Sequence, residues 1–233
     1  MSVYEVIRRL PEIATVRDRS RSLAMLDAIL SPEWSDRYYS FDSGWSPTEE
    51  MASMRDGGGN DYAIVFSAAG VYAQGCDHES PLTPYRTSPP TPWPGLFDSV
   101  PGVFRSCLDE PAFADHNGMV RASVCFWREC DAERWSCGDV VVPDQEMGDA
   151  DGAEWLFGLL VEGSPEAYVV FVSEVYEREL DIDAVRHVFA LRPLTQEIVA
   201  ALNPDVQLSD LAADITQIAY SSADVPDASS AQR

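Results

Sequence analysis

Residues 62–76 read YAIVFSAAGVYAQGC, and this stretch decides the fold class. Two runs rich in β-branched and aromatic residues, 62–66 and 71–76, flank a short segment of small residues at 67–70. The pattern predicts two antiparallel strands joined by a four-residue hairpin loop. A hairpin needs further strands or helices to bury its apolar face, so the neighbouring segments must supply them.

Strands are also predicted on both sides of this hairpin. Residues 37–42 and 121–128 are rich in aromatic and β-branched residues and read as strands. Between them, residues 47–55 begin with the acidic run that favours a helix start and predict a short helix. The triglycine at 57–59 predicts a turn. We therefore expect a mostly antiparallel sheet of about four to five strands within residues 37–142.

Helices are predicted at both ends of the chain. Residues 1–31 show apolar positions at helical spacing, and residues 151–220 contain repeated helix starts such as Ser164-Pro165 and Thr195. Helices, then a sheet, then helices is the order of an α+β fold rather than of an alternating β-α fold. The prediction is one α+β domain over residues 1–220 and a disordered tail at 221–233.

A proline-rich loop at residues 80–101 interrupts the sheet region. It contains seven prolines together with Trp93, Leu96 and Phe97. A connection of this length is unusual in a compact domain, so it is either a functional surface loop or a cover packed onto the body. Within it, Trp93 is the tryptophan that we expect to be exposed as an anchor for a partner.

The charge of the chain restricts its partners. There are 39 acidic and 16 basic residues, and every basic residue is arginine, which gives a formal net charge of −23. Such a field repels phosphate groups, so nucleic acid and anionic membrane surfaces are disfavoured partners. The sequence shows neither a transmembrane run nor a signal peptide, and we expect a cytoplasmic protein. The charge favours a basic partner, or it serves solubility alone.

Two histidine motifs are candidates for catalysis. Asp77, His78 and Glu79 lie where a predicted strand ends and the proline-rich loop begins, so His78 could act as a general base oriented by either acid. The alternative is a surface histidine that anchors the loop by hydrogen bonds. Asp183 and His187 lie four residues apart on a predicted helix, where an ion pair or a cap is the simpler interpretation.

The remaining motifs predict neither a metal nor a cofactor. The five cysteines lack the close Cys-x-x-Cys spacing of structural zinc and are interpreted as reduced thiols, mostly buried. The triglycine lacks the preceding strand, the following helix and the lysine of a phosphate-binding loop. No complete catalytic or ligand-binding motif is present.

An acidic region is the strongest candidate for partner binding. Residues 139–183 contain 13 acidic residues and one arginine. Acidic residues at helix starts explain part of this excess, and the region as a whole is either a solvated face or a docking surface for a basic protein. The predicted contacts are Asp144, Glu146, Asp149, Asp151, Glu154 and Trp93.

Several segments resemble an uncharacterised family of acidic bacterial proteins. They are DHESP at 77–81, WPG at 93–95 followed by DSVP at 98–101, and PLT at 193–195 followed by ALNP at 201–204. The resemblance implies no known activity and transfers no site residue. In size and acidity the chain is also similar to proteins that neutralise toxins.

Three functions therefore follow from the sequence as hypotheses. The first is a non-enzymatic immunity or inhibitor protein that docks onto a basic partner such as a nuclease-like toxin. The second is a small hydrolase or transferase that uses His78 and Glu79. The third is a structural component of a larger assembly. The oligomeric state stays open.

Overall fold

A six-stranded antiparallel sheet organises the chain in the computed structural model, which describes residues 2–141 and 149–222. The strands are β1 (Tyr39–Ser46), β2 (Glu49–Arg55), β3 (Asp61–Ser67), β4 (Gly70–Cys76), β5 (Val124–Glu129) and β6 (Ser136–Cys137). Each strand pairs with its neighbour in the sequence. The predicted α+β class is confirmed. The sheet has six strands rather than four to five, because residues 49–55 form β2 and the two-residue β6 pairs with Phe126 and Trp127 of β5.

Helices precede and follow the sheet, as predicted, and one further short helix, α3, lies between β4 and β5. They are α1 (Val3–Arg9), α2 (Ile13–Leu30), α3 (Arg105–Leu108), α4 (Ala153–Glu162), α5 (Pro165–Val175), α6 (Ile182–Phe189), α7 (Gln196–Leu202) and α8 (Ala212–Ile218). The predicted starts of α5 and α7 are confirmed, since Ser164 accepts the Ala167 N–H and Thr195 accepts the Ile198 N–H. The predicted tail at 221–233 lies outside the described residues from position 223 onward.

Residues 49–55 form a strand, so the helix predicted for 47–55 is wrong. β2 lies between β1 and β3 and pairs with β3 along its full length, from Glu49 opposite Ser67 to Arg55 opposite Asp61. Its side chains alternate between the two faces of the sheet, as strand geometry requires. Pairing on both edges outweighs the weak local preference of an acidic segment for a helix.

The predicted hairpin is confirmed, but its loop has two residues rather than four, because the strands extend to Ser67 and Gly70. Ser67 is paired with Gly70, and the intervening two residues form the turn between β3 and β4. Gly70 has a φ of +131°, and a Cβ at this position would lie 2.2 Å from the backbone oxygen of Arg128 on β5. The close approach of β5 to this turn therefore requires a glycine.

The two faces of the sheet are covered differently. On one face, Ile64 and Phe66 of β3 belong to an apolar core shared with the helices, where Phe157 of α4 is fully buried. On the other face, Tyr72 of β4 packs in a second core. Leu82, Leu96 and Val100 bring the proline-rich segment into that second core, and Phe104, just after the segment, also belongs to it. The loop at 80–101 is thus a cover that buries a sheet face.

A buried carboxylate joins α2, β1 and α5. Asp27 is fully buried and accepts four hydrogen bonds, from the backbone N–H groups of Tyr38 and Tyr39 (both 2.8 Å) and from the hydroxyls of Tyr168 (2.8 Å) and Tyr176 (3.1 Å). We call these five residues the Asp27 network. Burial raises the pKa of Asp27 to about 6, although the four hydrogen bonds act in the opposite direction.

The Asp27 network predicts a stability that falls as the pH rises from about 4 to about 6. An unfolded aspartate has a pKa of about 3.9, so in this window the folded state holds a proton that the unfolded chain releases. The contribution is complete below pH 4, is lost as the pH passes 6, and amounts to about 2–3 kcal/mol. Urea unfolding of the wild type and of Asp27→Asn at several pH values checks it, because the variant should lack this part of the slope. Equal slopes would contradict the assignment.

Candidate functional site

His78 fastens the end of β4 to the turn between β2 and β3. Its backbone N–H and its Nδ1 lie 2.9 and 2.8 Å from the Oδ1 of Asn60, which follows the triglycine. Its Nε2 is 3.9 Å from Glu79 Oε1, and the Glu79 side chain is 84% exposed. Asp77 accepts the Glu79 N–H rather than contacting the imidazole. This geometry fits the alternative interpretation, in which His78 is a surface histidine that anchors the loop by hydrogen bonds.

Four of the five cysteines are placed as poor nucleophiles, and the fifth, Cys130, is exposed. All five are free, and Cys76, Cys107 and Cys125 are buried. Burial raises the pKa of Cys76 and Cys107 to about 11 and that of Cys125 to about 12, so these thiols stay protonated at neutral pH. Burial likewise raises the pKa of the half-buried Cys137 to about 11.

Asp183 and His187 on α6 have separate partners. Asp183 accepts a hydrogen bond from Arg186, and the His187 ring nitrogen lies 2.9 Å from the backbone oxygen of Pro193. Across residues 2–141 and 149–222, no cluster of three or more histidine, cysteine, aspartate or glutamate side chains could hold a metal ion. Over the same ranges, no helix has the length and apolar character that a membrane crossing needs.

The predicted acidic contacts separate into different roles. Asp144 and Glu146 lie outside the described residues. Asp149 accepts the Glu154 and Trp155 N–H groups, so it caps the start of α4. Glu154 itself is exposed.

Asp151 does not belong to an exposed surface. It is 3% exposed, and it accepts the Val3 N–H at 2.7 Å and the Ala153 N–H at 3.0 Å. Burial raises the pKa of Asp151 to about 6. The carboxylate therefore ties α1 to α4 and is not available for a partner, because α1 covers it.

Trp93, which the sequence predicts to be exposed, is half-buried. Its indole nitrogen donates to the Val141 oxygen at 3.2 Å, and its ring packs on the loop-side core. The exposed tryptophans are Trp34 and Trp155, at 55% and 48%. A signal for Trp155 was present in the sequence, since Leu156 and Leu160 define the buried stripe of α4 and residue 155 falls beside it.

Trp155 opens onto a groove between α4 and α5. The groove holds about 270 Å³. Its apolar lining is formed by Tyr38, Tyr39, Met54, Trp155, Gly158, Leu159, Ala167, Val170 and Phe171. Val170 is 55% exposed, and two exposed carboxylates, Glu154 and Glu174, complete the lining. We call this feature the α4–α5 groove.

A glycine, Gly158, contributes open space to the lining of the α4–α5 groove. Gly158 lies in the interior of α4, where glycine costs about 1 kcal/mol relative to alanine. A Cβ built at this position meets no atom within 4 Å, and the φ is not in the left-handed region. Neither packing nor backbone conformation requires a glycine here, so its effect is the open space in the groove.

Internal contacts occupy many of the arginines. Arg19, Arg21 and Arg178 donate to backbone oxygens at the C-terminal ends of α4, α8 and α2. Those that contact a carboxylate are Arg9, Arg17, Arg21, Arg37, Arg121, Arg128 and Arg186. With only 16 basic residues in the chain, these contacts leave the acidic excess facing solvent, and a basic partner would meet an attractive field.

Comparisons with protein-family models, with curated proteins and with solved structures find no match for this chain.

Proposed function

We propose that the protein is a non-enzymatic binding protein that docks onto a basic partner protein through the α4–α5 groove. An immunity or inhibitor protein that blocks a basic toxin, such as a nuclease, is the concrete version. The single observation that carries the proposal is Gly158. Gly158 costs α4 about 1 kcal/mol relative to alanine and leaves open space in the apolar groove, which supports a role for the groove in accommodating an occupant.

The lining of the groove defines what the occupant offers. Trp155 and Val170 present exposed apolar surface of the kind that anchors protein interfaces. Glu154 and Glu174 place carboxylates beside it. The complementary ligand is an apolar side chain flanked by arginine or lysine, carried on a basic protein surface. The net charge of −23 would speed association with such a surface at low salt.

Filling the groove at Gly158 tests the proposal. Affinity capture from host lysate at low salt would first identify a stoichiometric basic protein, and the purified pair would then be measured by calorimetry. Gly158→Met should weaken binding at least about 100-fold, because the side chain projects into the groove without disturbing the core. Gly158→Ala should raise the free energy of unfolding by about 0.5–1 kcal/mol and weaken binding less.

Gly102 provides the matched control. A Cβ at Gly102 also meets no atom within 4 Å, and Gly102 lies outside the groove. Gly102→Met should bind like the wild type. If Gly158→Met bound the partner as tightly as Gly102→Met, the partner would use another surface and the groove would lose its role.

The acidic lining is tested separately by charge reversal. Glu174→Arg should slow association about tenfold and reduce its dependence on salt. Glu197→Arg makes the same charge change on α7, away from the groove, and should have a smaller effect. Equal effects of the two variants would show that only the overall charge matters.

A further inference from the structure

A second cavity lies on the loop-side face of the sheet. It holds about 330 Å³ and crosses β1, β2, β3 and β4. Its floor contains a row of paired positions with short or polar side chains, namely Ser40, Ser53, Ala63 and Gln74. Small residues in a row form a depression in a sheet face that large apolar residues would otherwise fill. We call this cavity the sheet cleft.

Aromatic rings line the sheet cleft. Trp45 and Phe113 are stacked, with ring centroids 6.4 Å apart and an angle of 9° between the planes. Trp34 is 55% exposed, and the Arg55 guanidinium lies 3.7 Å from the centre of its ring. Flat surfaces of this kind bind planar apolar groups.

The polar groups of the sheet cleft are held in place by other contacts. The hydroxyls of Ser40 and Ser53 are 2.8 Å apart. The Arg121 N–H donates to the Phe113 oxygen, and Gln74 donates to the Arg121 oxygen, so the backbone that carries the Arg121 side chain is fixed. Such preorganisation lowers the entropy cost of binding a ligand.

The charge of the sheet cleft is opposite to that of the molecule. Two guanidinium groups, on Arg55 and Arg121, line it together with one carboxylate, Asp61. Arg121 forms an ion pair with Asp61, and Arg55 lies opposite Asp61 in the register of β2 and β3. One positive charge is therefore left over, in a protein whose net charge is −23. An anionic group on a ligand would balance it.

We propose that the sheet cleft binds a small aromatic carboxylate. The aromatic ring packs on the tryptophan and phenylalanine side chains, and the carboxylate pairs with Arg55 and Arg121. The site is separate from the α4–α5 groove and does not depend on the function proposed for it. A neutral sugar would use the same rings and hydroxyls but would gain nothing from the excess positive charge, so charge dependence distinguishes the two ligand classes.

Titration of the full chain with indole-3-acetate, followed by two-dimensional NMR of the backbone amides, tests the proposal. We expect saturable binding with a dissociation constant of about 0.1–1 mM, as suits a ligand of this size, and shifts centred on Ser40, Ser53 and Phe113. Indole and cellobiose, which carry no charge, should bind at least about tenfold more weakly.

Two variants of one ion pair should have opposite effects. Arg121→Gln removes a positive charge and should weaken indole-3-acetate binding about tenfold. Asp61→Asn removes the competing carboxylate and should strengthen binding about threefold. Damage to the fold would weaken both, so opposite signs exclude it. Arg105→Gln, at an exposed arginine outside the cleft, should leave binding unchanged.

Three results of the ligand titrations would overturn the proposal. They are the absence of saturable binding, equal binding of indole-3-acetate and indole, and tighter binding of cellobiose. Equal weakening by Asp61→Asn and Arg121→Gln, with the fold intact by circular dichroism, would also overturn it, because the carboxylate of the ligand would then not respond to the charge of the cleft.

Discussion

Asp27→Ala is expected to destabilise the fold by about 4 kcal/mol or more, or to prevent folding. The substitution leaves two backbone N–H groups and two tyrosine hydroxyls without their buried acceptor. Each unsatisfied buried donor costs about 1–3 kcal/mol, and the cavity left by the carboxylate adds to this. Urea denaturation at pH 7 measures the change.

Asp27→Asn is the matched control. The amide oxygen can accept the Tyr38 and Tyr39 N–H groups, and the amide nitrogen can donate to the Tyr168 hydroxyl. The variant should therefore retain much of the stability that alanine loses. If alanine and asparagine were equally destabilising, the hydrogen bonds that an amide can retain would not explain the contribution of Asp27, and this account of the network would be wrong.

Gly70→Ala is expected to cost about 3–4 kcal/mol. The added Cβ would lie 2.2 Å from the Arg128 oxygen, and the φ of +131° is a conformation that side chains rarely adopt. The atom in the way belongs to the backbone, so β5 must move to relieve the contact. Thermal unfolding followed by circular dichroism would record the loss.

Gly102→Ala is the control that shows whether the loss of stability in Gly70→Ala comes from contact with the β5 backbone. A Cβ at Gly102 meets no neighbouring atom. The stability of this variant should lie within about 0.5 kcal/mol of the wild type. A mild effect of Gly70→Ala, similar to that of Gly102→Ala, would mean that β5 can shift away from the hairpin without loss.

The fold was predictable from the sequence where local patterns and tertiary pairing agree. The hairpin at 62–76 has β-prone runs, a short loop and a glycine at the turn, and the structure confirms it. The segment at 47–55 was assigned to a helix because its acidic residues are visible in the sequence, whereas the two strands that pair with it are not. β6 was missed because two residues carry no periodic signal.

The binding surfaces were less predictable because they combine distant segments. The α4–α5 groove joins residues 38–39, 54, 154–159 and 167–174, and the sheet cleft joins residues from 34 to 121. Charge counting led to residues 139–183, but it did not distinguish Asp151, buried under α1, from Glu154, exposed on α4. That distinction depends on which helix covers which carboxylate.

The placement of α2 has a consequence for synthesis on the ribosome. α2 emerges early, yet its partners come late: Asp27 bonds Tyr168 and Tyr176, Asn203 donates to Ile29, and Arg21 donates to Ile218. The sheet can pair strand by strand as it is made, because neighbours in the sheet are neighbours in the sequence. The apolar face of α2 cannot be fully covered until nearly the whole chain has been synthesised. A nascent protein of this design therefore completes its core only once residues up to about 218 have left the ribosome, and until then we expect α2 to be a site for chaperone contact.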